Sequence, residues 1–163
     1  LNHIRIYGND RLYEEVVRPA DVCGAENVEN PREMDELMEL IGAEPVEWAF
    51  KTECCGAAMG IPDVNIPGTL SGRILDTAKA VGAEAVVTAC PLCHMNLDLR
   101  QRQAARISGK PFFGLPVFYY TQLICLACGL PKDTARLDKL AVDPTPLLDQ
   151  IAQRRAAATS SKS

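Results

Sequence analysis

Four short segments of the chain carry the hydrophobic pattern of β-strands. They are continuously apolar or alternate between apolar and polar residues, and turn residues or cysteines follow them. The predicted strands cover residues 3–7, 45–50, 85–89 and 115–120. The third of these is apolar or small throughout, which is typical of a strand that is buried on both faces of a sheet.

Helical spacing of apolar residues fills the stretches between these strands. The first predicted helix follows Asn30, a candidate N-cap, with Pro31 at the first helical position, and Gly42 ends it. The other predicted helices cover residues 70–81, 91–103 and 121–128. Strands that alternate with helices predict an α/β fold, an open and mostly parallel sheet with helices on both faces.

The length and net charge of the chain narrow the classes of function that it can have. The chain has 163 residues, 47% of them hydrophobic, and a net charge of −4. We expect one domain over residues 1–150 and a flexible tail over 151–163, where Ala and Ser dominate. An acidic chain is a poor partner for nucleic acid or an anionic membrane, and no apolar run is long enough for a transmembrane segment, so we expect a cytoplasmic protein. Because the chain begins at Leu1, we also expect it to be a fragment, a processed chain or one half of a longer polypeptide.

Seven cysteines fall into tight groups. Cys54 and Cys55 follow the second predicted strand, Cys90 ends the third, and Cys93 completes a CxxC at a strand-to-helix turn. Loops at the carboxyl ends of parallel strands converge, so these thiols are expected to meet. Converging thiolates are costly to bury unless a metal centre compensates their charge, and both Fe–S clusters and zinc do so. Adjacent cysteines are awkward ligands for one tetrahedral zinc ion and are acceptable to a polynuclear cluster.

These motifs resemble those of a known family. The run Lys51–Gly56 (KTECCG), the 34 residues between Cys55 and Cys90, and the run Ala89–Asp98 (ACPLCHMNLD) look like the CCG motif of heterodisulfide reductase B subunits. The resemblance covers nearly the whole chain up to about Leu148.

The resemblance implies a Rossmann-like module that binds a noncubane 4Fe–4S cluster through five cysteines. It further implies a second CCG module, with this chain matching the C-terminal one. A small thiol or disulfide compound is the implied substrate. The implied partners are a ferredoxin-like iron–sulfur subunit of the C-subunit type and a flavin subunit.

The sequence departs from the family pattern at the first ligand. Asn9 stands after Tyr7-Gly8, where the family has a cysteine, and Cys23 lies further along the chain. Cys23 is therefore the candidate fifth ligand. With four thiolates alone, a cubane 4Fe–4S cluster or zinc becomes an alternative. Cys125 and Cys128 lie on an apolar helix and are predicted to be core residues.

Two residues beside the cysteines are candidates for catalysis. His94 follows the CxxC, where an imidazole can relay a proton to a leaving thiolate, although a surface histidine with a local hydrogen bond is the more common case. Lys51 precedes the CCG run and can offset thiolate charge or steer an anionic thiol, although a solvated lysine is more common at such a position.

The sequence thus favours an iron–sulfur oxidoreductase subunit that acts on disulfides. A structural zinc-binding assembly module and metal-free thiol–disulfide exchange at Cys90 and Cys93 are the alternatives.

Overall fold

A computed structural model describes the backbone of residues 4–9 and 30–160 and the side chains of residues 30–157. Four parallel strands form one sheet in the order β2-β1-β3-β4. The strands are β1 (Ile4–Asn9), β2 (Ala43–Pro45), β3 (Ala85–Thr88) and β4 (Val117–Tyr119). The α-helices of the described residues are α1 (Glu33–Leu40), α2 (Asn65–Ala80), α3 (Pro91–Leu99), α4 (Gln101–Ser108), α5 (Tyr120–Ala127) and α6 (Thr145–Ser160). Short 3₁₀ turns cover Ala57–Gly60 and Leu137–Lys139.

Strand β3 organises the core because all four of its side chains are buried. Successive side chains of a strand point to opposite faces of the sheet. Val86 therefore joins one hydrophobic cluster, and Val87 joins another on the opposite face. The first cluster draws on α2, α3 and α4, and the second on α1, α5 and α6. The α/β class, the parallel sheet and helices on both faces of it are thus found among the described residues.

Three strands end together at one edge of the sheet. Asn9 of β1 is in register with Thr88 of β3, and Thr88 is in register with Tyr119 of β4. The strand order reverses between β1 and β3, because the chain passes from β1 to β2 on one side and then crosses to β3 on the other. Ligands of open parallel sheets bind at such a switch point, beyond the carboxyl ends of the strands. Cys90 lies two residues after Thr88, at this edge.

The second strand lies earlier in the chain than predicted. Residues 45–50 were expected to form it, but β2 is Ala43–Pro45 and the chain then becomes irregular. Trp48 is buried in the first cluster, its ring stacks with that of Phe50 at 6.4 Å, and the Arg73 guanidinium of α2 lies 5.5 Å from the centre of the Phe50 ring. These residues are apolar because they pack against a helix, not because they pair in the sheet. The first helix likewise begins at Glu33, with Arg32 and not Asn30 as its N-cap residue.

Helix α6 continues past residue 150, where the flexible tail was predicted to begin. Helix α6 runs to Ser160, and Ile151 is only 4% exposed, within the second hydrophobic cluster. The predicted boundary at 150 therefore falls inside a helix, because burial of Leu147 and Ile151 outweighs the polar composition of the last residues. None of the described helices is long and apolar enough to cross a membrane.

We predict that Ile151→Ala lowers the free energy of unfolding by about 2–5 kcal/mol, because it leaves a cavity beneath α6. Urea unfolding followed by circular dichroism measures this change. Gln150→Ala, at the neighbouring exposed position, is the matched control and is expected to change stability by less than about 0.5 kcal/mol. Equal stability of both variants would show that α6 does not contribute to the core.

Candidate metal centre

The first cysteine-bearing loop is a tight turn that follows the irregular segment after β2. The main-chain N–H of Gly56 donates a hydrogen bond to the Cys54 sulfur at 3.1 Å, and Cys55 is 1% exposed. Gly56 has a φ of 72°, and a Cβ added there would lie 2.6 Å from Leu70 Cδ1. The positive φ favours glycine, so Gly56 stabilises the turn that carries Cys54 and Cys55.

The second cysteine-bearing loop joins β3 to α3. Cys90 is the N-cap residue of α3, Pro91 follows at the first helical position, and Cys93 lies in the first turn with 2% exposure. Proline is favoured at this place because its missing N–H has no partner in a first turn. The N-terminal end of a helix carries partial positive charge, which favours negative charge placed next to it.

The two loops bring the Cys55 and Cys93 thiols together in the first hydrophobic cluster. A hydrogen bond from the Cys93 thiol lowers the pKa of Cys55 to about 6, burial opposes this shift, and the Asn96 amide adds to it. The pKa of Cys93 is raised, first because its thiol donates that bond and then because it is buried. The opposite directions of the two pKa shifts favour one proton and one negative charge shared by the pair. All six cysteines between residues 30 and 157 are free thiols.

The thiols of the two loops are the kind of side chain that binds an iron–sulfur cluster or zinc. Thr88 lies on the same face of β3 as Val86, the face that carries Cys55 and Cys93, and its buried hydroxyl has no hydrogen-bond partner among the described residues. An unpaired buried hydroxyl costs about 1–3 kcal/mol, which favours an acceptor at this place. However, no three His, Cys, Asp or Glu side chains in the described part of the chain are grouped to hold a metal ion. Convergence of the predicted ligands is therefore seen for Cys55 and Cys93, with Cys90 beside them.

Lys51 does not face an open site. Its ammonium forms a salt bridge with Asp35 of α1, and the two residues are 5% and 7% exposed. Burial raises the pKa of Asp35, and the hydrogen bond from Lys51 opposes that shift. In this geometry Lys51 connects the CCG loop to α1. The alternative of a solvated lysine is therefore not what the structure shows, and a role of Lys51 in offsetting thiolate charge stays a prediction.

His94 lies at the border of an open cavity of about 440 Å³ next to the start of α3. Its Nε2 is 3.1 Å from the carbonyl oxygen of Val117, which only accepts, so Nε2 carries the proton. The His94 ring meets Tyr119 edge-on, with the ring centres 5.9 Å apart. Cys125 also lines this cavity. His94 thus makes the local hydrogen bond that is common for histidine, and its Nδ1 is the ring atom left for proton transfer.

The predictions for Cys125, Cys128 and Cys23 have different outcomes. Cys125 packs as a partly buried residue against the second cluster, whereas Cys128 is exposed at the C-cap of α5, so the expectation of a core residue is wrong for Cys128. Cys23 lies outside the described residues. Asn9, at the position of the family's first cysteine, ends β1 at the same sheet edge as Cys90.

Asn96 was not singled out from the sequence as a site residue. It is 2% exposed, and its Nδ2 donates to the Cys55 sulfur at 3.5 Å. The available signal was a polar residue three positions after Cys93, which lies on the same helical face as that cysteine.

Comparison with known proteins identifies the region that contains these cysteines. Residues 20–98 match the model of the CCG cysteine-rich domain. The chain belongs to the CCG cysteine-rich domain family. All five candidate ligands lie inside the matched CCG region, whereas Cys125 and Cys128 lie outside it.

Relatives of this CCG chain are subunits of oxidoreductases. It is 33% identical over 131 residues to the membrane anchor of the 8-methylmenaquinol:fumarate reductase of Wolinella succinogenes, with 80% of this chain and 46% of that protein covered. It is 30% identical over 138 residues to the B subunit of the ferredoxin:CoB-CoM heterodisulfide reductase of Methanosarcina mazei, with 83% and 46% covered. A heterodisulfide reductase B-like protein of Archaeoglobus profundus is 32% identical over 127 residues, with 77% and 40% covered. The CCG chain spans less than half the length of these relatives.

The buried ion pair gives a prediction for Lys51. Lys51→Met leaves the Asp35 carboxylate buried without its partner, and we expect a loss of about 3–5 kcal/mol in the free energy of unfolding. The double variant Lys51→Met/Asp35→Leu removes both charges and is expected to regain most of that loss. Urea unfolding of the two variants measures the difference. A Lys51→Met protein as stable as the unsubstituted chain would mean that Lys51 is not bound in this ion pair in solution.

Proposed function

We propose that this chain is an iron–sulfur module of a heterodisulfide reductase B-type oxidoreductase. Cys54, Cys55, Cys90 and Cys93 are the proposed ligands, with Cys23 as the fifth. The observation that carries the proposal is the buried Cys55–Cys93 pair, which joins the CCG turn to the start of α3. The sheet order and the switch point support a Rossmann-like module.

A thiolate-bound cluster supplies one-electron transfer and an iron atom that accepts the sulfur of a thiol substrate. The chain's own residues provide the environment for it. Burial of Cys55 and Cys93 beside Trp48 and Leu97 limits access of water. Gly56 adopts the left-handed backbone conformation of the turn that holds Cys54 and Cys55. The start of α3 offsets part of the thiolate charge.

The noncubane form of the 4Fe–4S cluster is the proposed type. Adjacent Cys54 and Cys55 suit a centre in which neighbouring thiolates bind different iron atoms. A cubane cluster is the alternative if Cys23 is not a ligand.

The remaining parts of the active site are proposed to come from outside this chain. The B-type relatives are more than twice as long as the matched region, which leaves space for a second module of similar size. We propose that the electron partner is a ferredoxin-like subunit, that a flavin subunit lies further along the electron path, and that the substrate is a small disulfide. His94 is the proposed proton relay to the leaving thiolate: Nε2–H stays bonded to the Val117 carbonyl, so Nδ1 first takes up a proton from solvent and then passes that proton to the thiolate.

Metal analysis of anaerobically prepared protein tests the proposal. We expect about four iron atoms and a similar amount of acid-labile sulfide per chain. Zinc bound in stoichiometric amount without sulfide would favour the structural module instead. Protein that contains neither metal would favour thiol–disulfide exchange, and either result contradicts the proposal.

Substitution of the ligands gives a further prediction. Cys55→Ser or Cys93→Ser is expected to reduce bound iron several-fold, because each removes a buried thiolate from the central pair. Cys125→Ala and Cys128→Ala are the matched controls, since they remove thiols outside the matched CCG region. Iron content and visible absorbance are measured for all four proteins. The assignment fails if the two groups of variants hold the same amount of iron.

Cys23 decides between a five-thiolate and a four-thiolate site. We predict that Cys23→Ser alters the electron paramagnetic resonance spectrum of the oxidised, thiol-treated protein while most of the iron is retained, because four thiolates still hold a cubane centre. An identical spectrum in both proteins would remove Cys23 from the ligand set.

A further inference from the structure

Asn96 is a polar residue in an otherwise apolar place. It is 2% exposed on α3 between its structural neighbours Cys93 and Leu97, both of which belong to the first hydrophobic cluster. Burial of a side-chain amide is unfavourable unless its hydrogen-bonding groups find partners. The hydrogen-bond partners of Asn96 therefore indicate why a polar residue lies at this place.

Arg100 fixes the orientation of the Asn96 amide. The Arg100 Nε donates to Asn96 Oδ1 at 2.8 Å, one helical turn further along the chain. A guanidinium only donates hydrogen bonds, so the amide oxygen must face Arg100. The amide nitrogen then faces the other way, where Cys55 Sγ lies at 3.5 Å.

Arg100 is itself held in place by a second amide. Its Nη1 donates to Gln103 Oε1 at 2.9 Å, and Gln103 Nε2 donates to the carbonyl oxygen of Val64 at 3.1 Å. The hydrogen bonds therefore form a chain from the start of α2 through α4 and α3 to the sulfur of Cys55. Each member is oriented by its neighbour, so the N–H at the end of the chain is fixed toward sulfur before any ligand binds.

We propose that Asn96, held by Arg100, is a positioning residue that donates a hydrogen bond to the Cys55 sulfur and raises the reduction potential of the centre bound there. The effect on the reduction potential rests on the proposed function, because it requires a redox-active centre at Cys55. The hydrogen bond from Asn96 to the Cys55 sulfur does not depend on that function. Hydrogen bonds to the sulfurs of a centre stabilise its reduced and more negative state, which makes reduction easier. Without Asn96, the Cys55 sulfur keeps more electron density and the centre is harder to reduce.

Asn96→Leu tests this role, because it keeps a similar side-chain volume and removes the donor. We expect the equilibrium constant for one-electron reduction to fall about tenfold, which corresponds to about 59 mV toward negative potential. Arg100→Met releases the amide without removing it, and a smaller shift in the same direction is expected. A redox titration followed by electron paramagnetic resonance measures both variants.

Gln101→Leu is the matched control. Gln101 is also a buried amide, 1% exposed, and among the described residues its side chain bonds to the main chain of Leu115, at 2.7 Å to the carbonyl oxygen and 3.2 Å to the N–H. Its loss is expected to lower stability and leave the reduction potential unchanged. An unchanged potential in Asn96→Leu, or an equal shift in Gln101→Leu, would overturn the proposal.

The metal-free protein provides a readout that does not depend on the bound centre. Ultraviolet thiolate absorbance at pH 7 is expected to be lower in Asn96→Leu than in the unsubstituted chain and unchanged in Gln101→Leu. If Asn96→Leu lowers the thiolate absorbance but neither the unsubstituted chain nor the variants bind iron, the proposed function is contradicted and the Asn96 contact is supported. Equal thiolate absorbance in all three proteins would overturn the contact itself.

Discussion

The contact between the thiols of Cys55 and Cys93 is the constraint on which the site depends. Two sulfurs from separate loops lie side by side inside an apolar cluster, and neither forms a disulfide. A thiolate in such surroundings is costly unless hydrogen bonds or a metal offset its charge. The Cys93 thiol and the Asn96 amide supply the hydrogen bonds, and the start of α3 supplies partial positive charge. The proposed metal binding at this pair would give the fold a reason to maintain the arrangement.

The sheet explains how the two sulfurs meet. Strand β3 is buried on both faces and ends at Thr88, so its position is fixed by packing from both sides. Cys90 and the first turn of α3 follow directly, so the position of Cys93 is fixed as well. The CCG turn has no strand immediately before it, and its geometry depends on Gly56 and on the buried Lys51–Asp35 ion pair. One loop is thus held by the sheet and the other by specific side-chain interactions.

Much of this was predictable from sequence, and the failures have identifiable causes. The apolar run before Cys90 and the Pro91 signal located β3 and α3, because local pattern determines both. Trp48 and Phe50 suggested a strand, since apolar residues two positions apart look the same whether they pair in a sheet or pack on a helix. The ion pair of Lys51 was missed because its partner Asp35 lies 16 residues away, and a single sequence does not reveal that contact. The same is true of Asn96, whose partner Cys55 is 41 residues away.

X-ray absorption at the iron edge of the anaerobically prepared chain is the most direct test of the central claim that these thiols hold a polynuclear centre. The account predicts a first shell made of sulfur and a clear iron–iron scattering component, and both should diminish in Cys55→Ser. A first shell of oxygen or nitrogen with no iron–iron component would contradict it, because the iron would then be bound elsewhere on the protein.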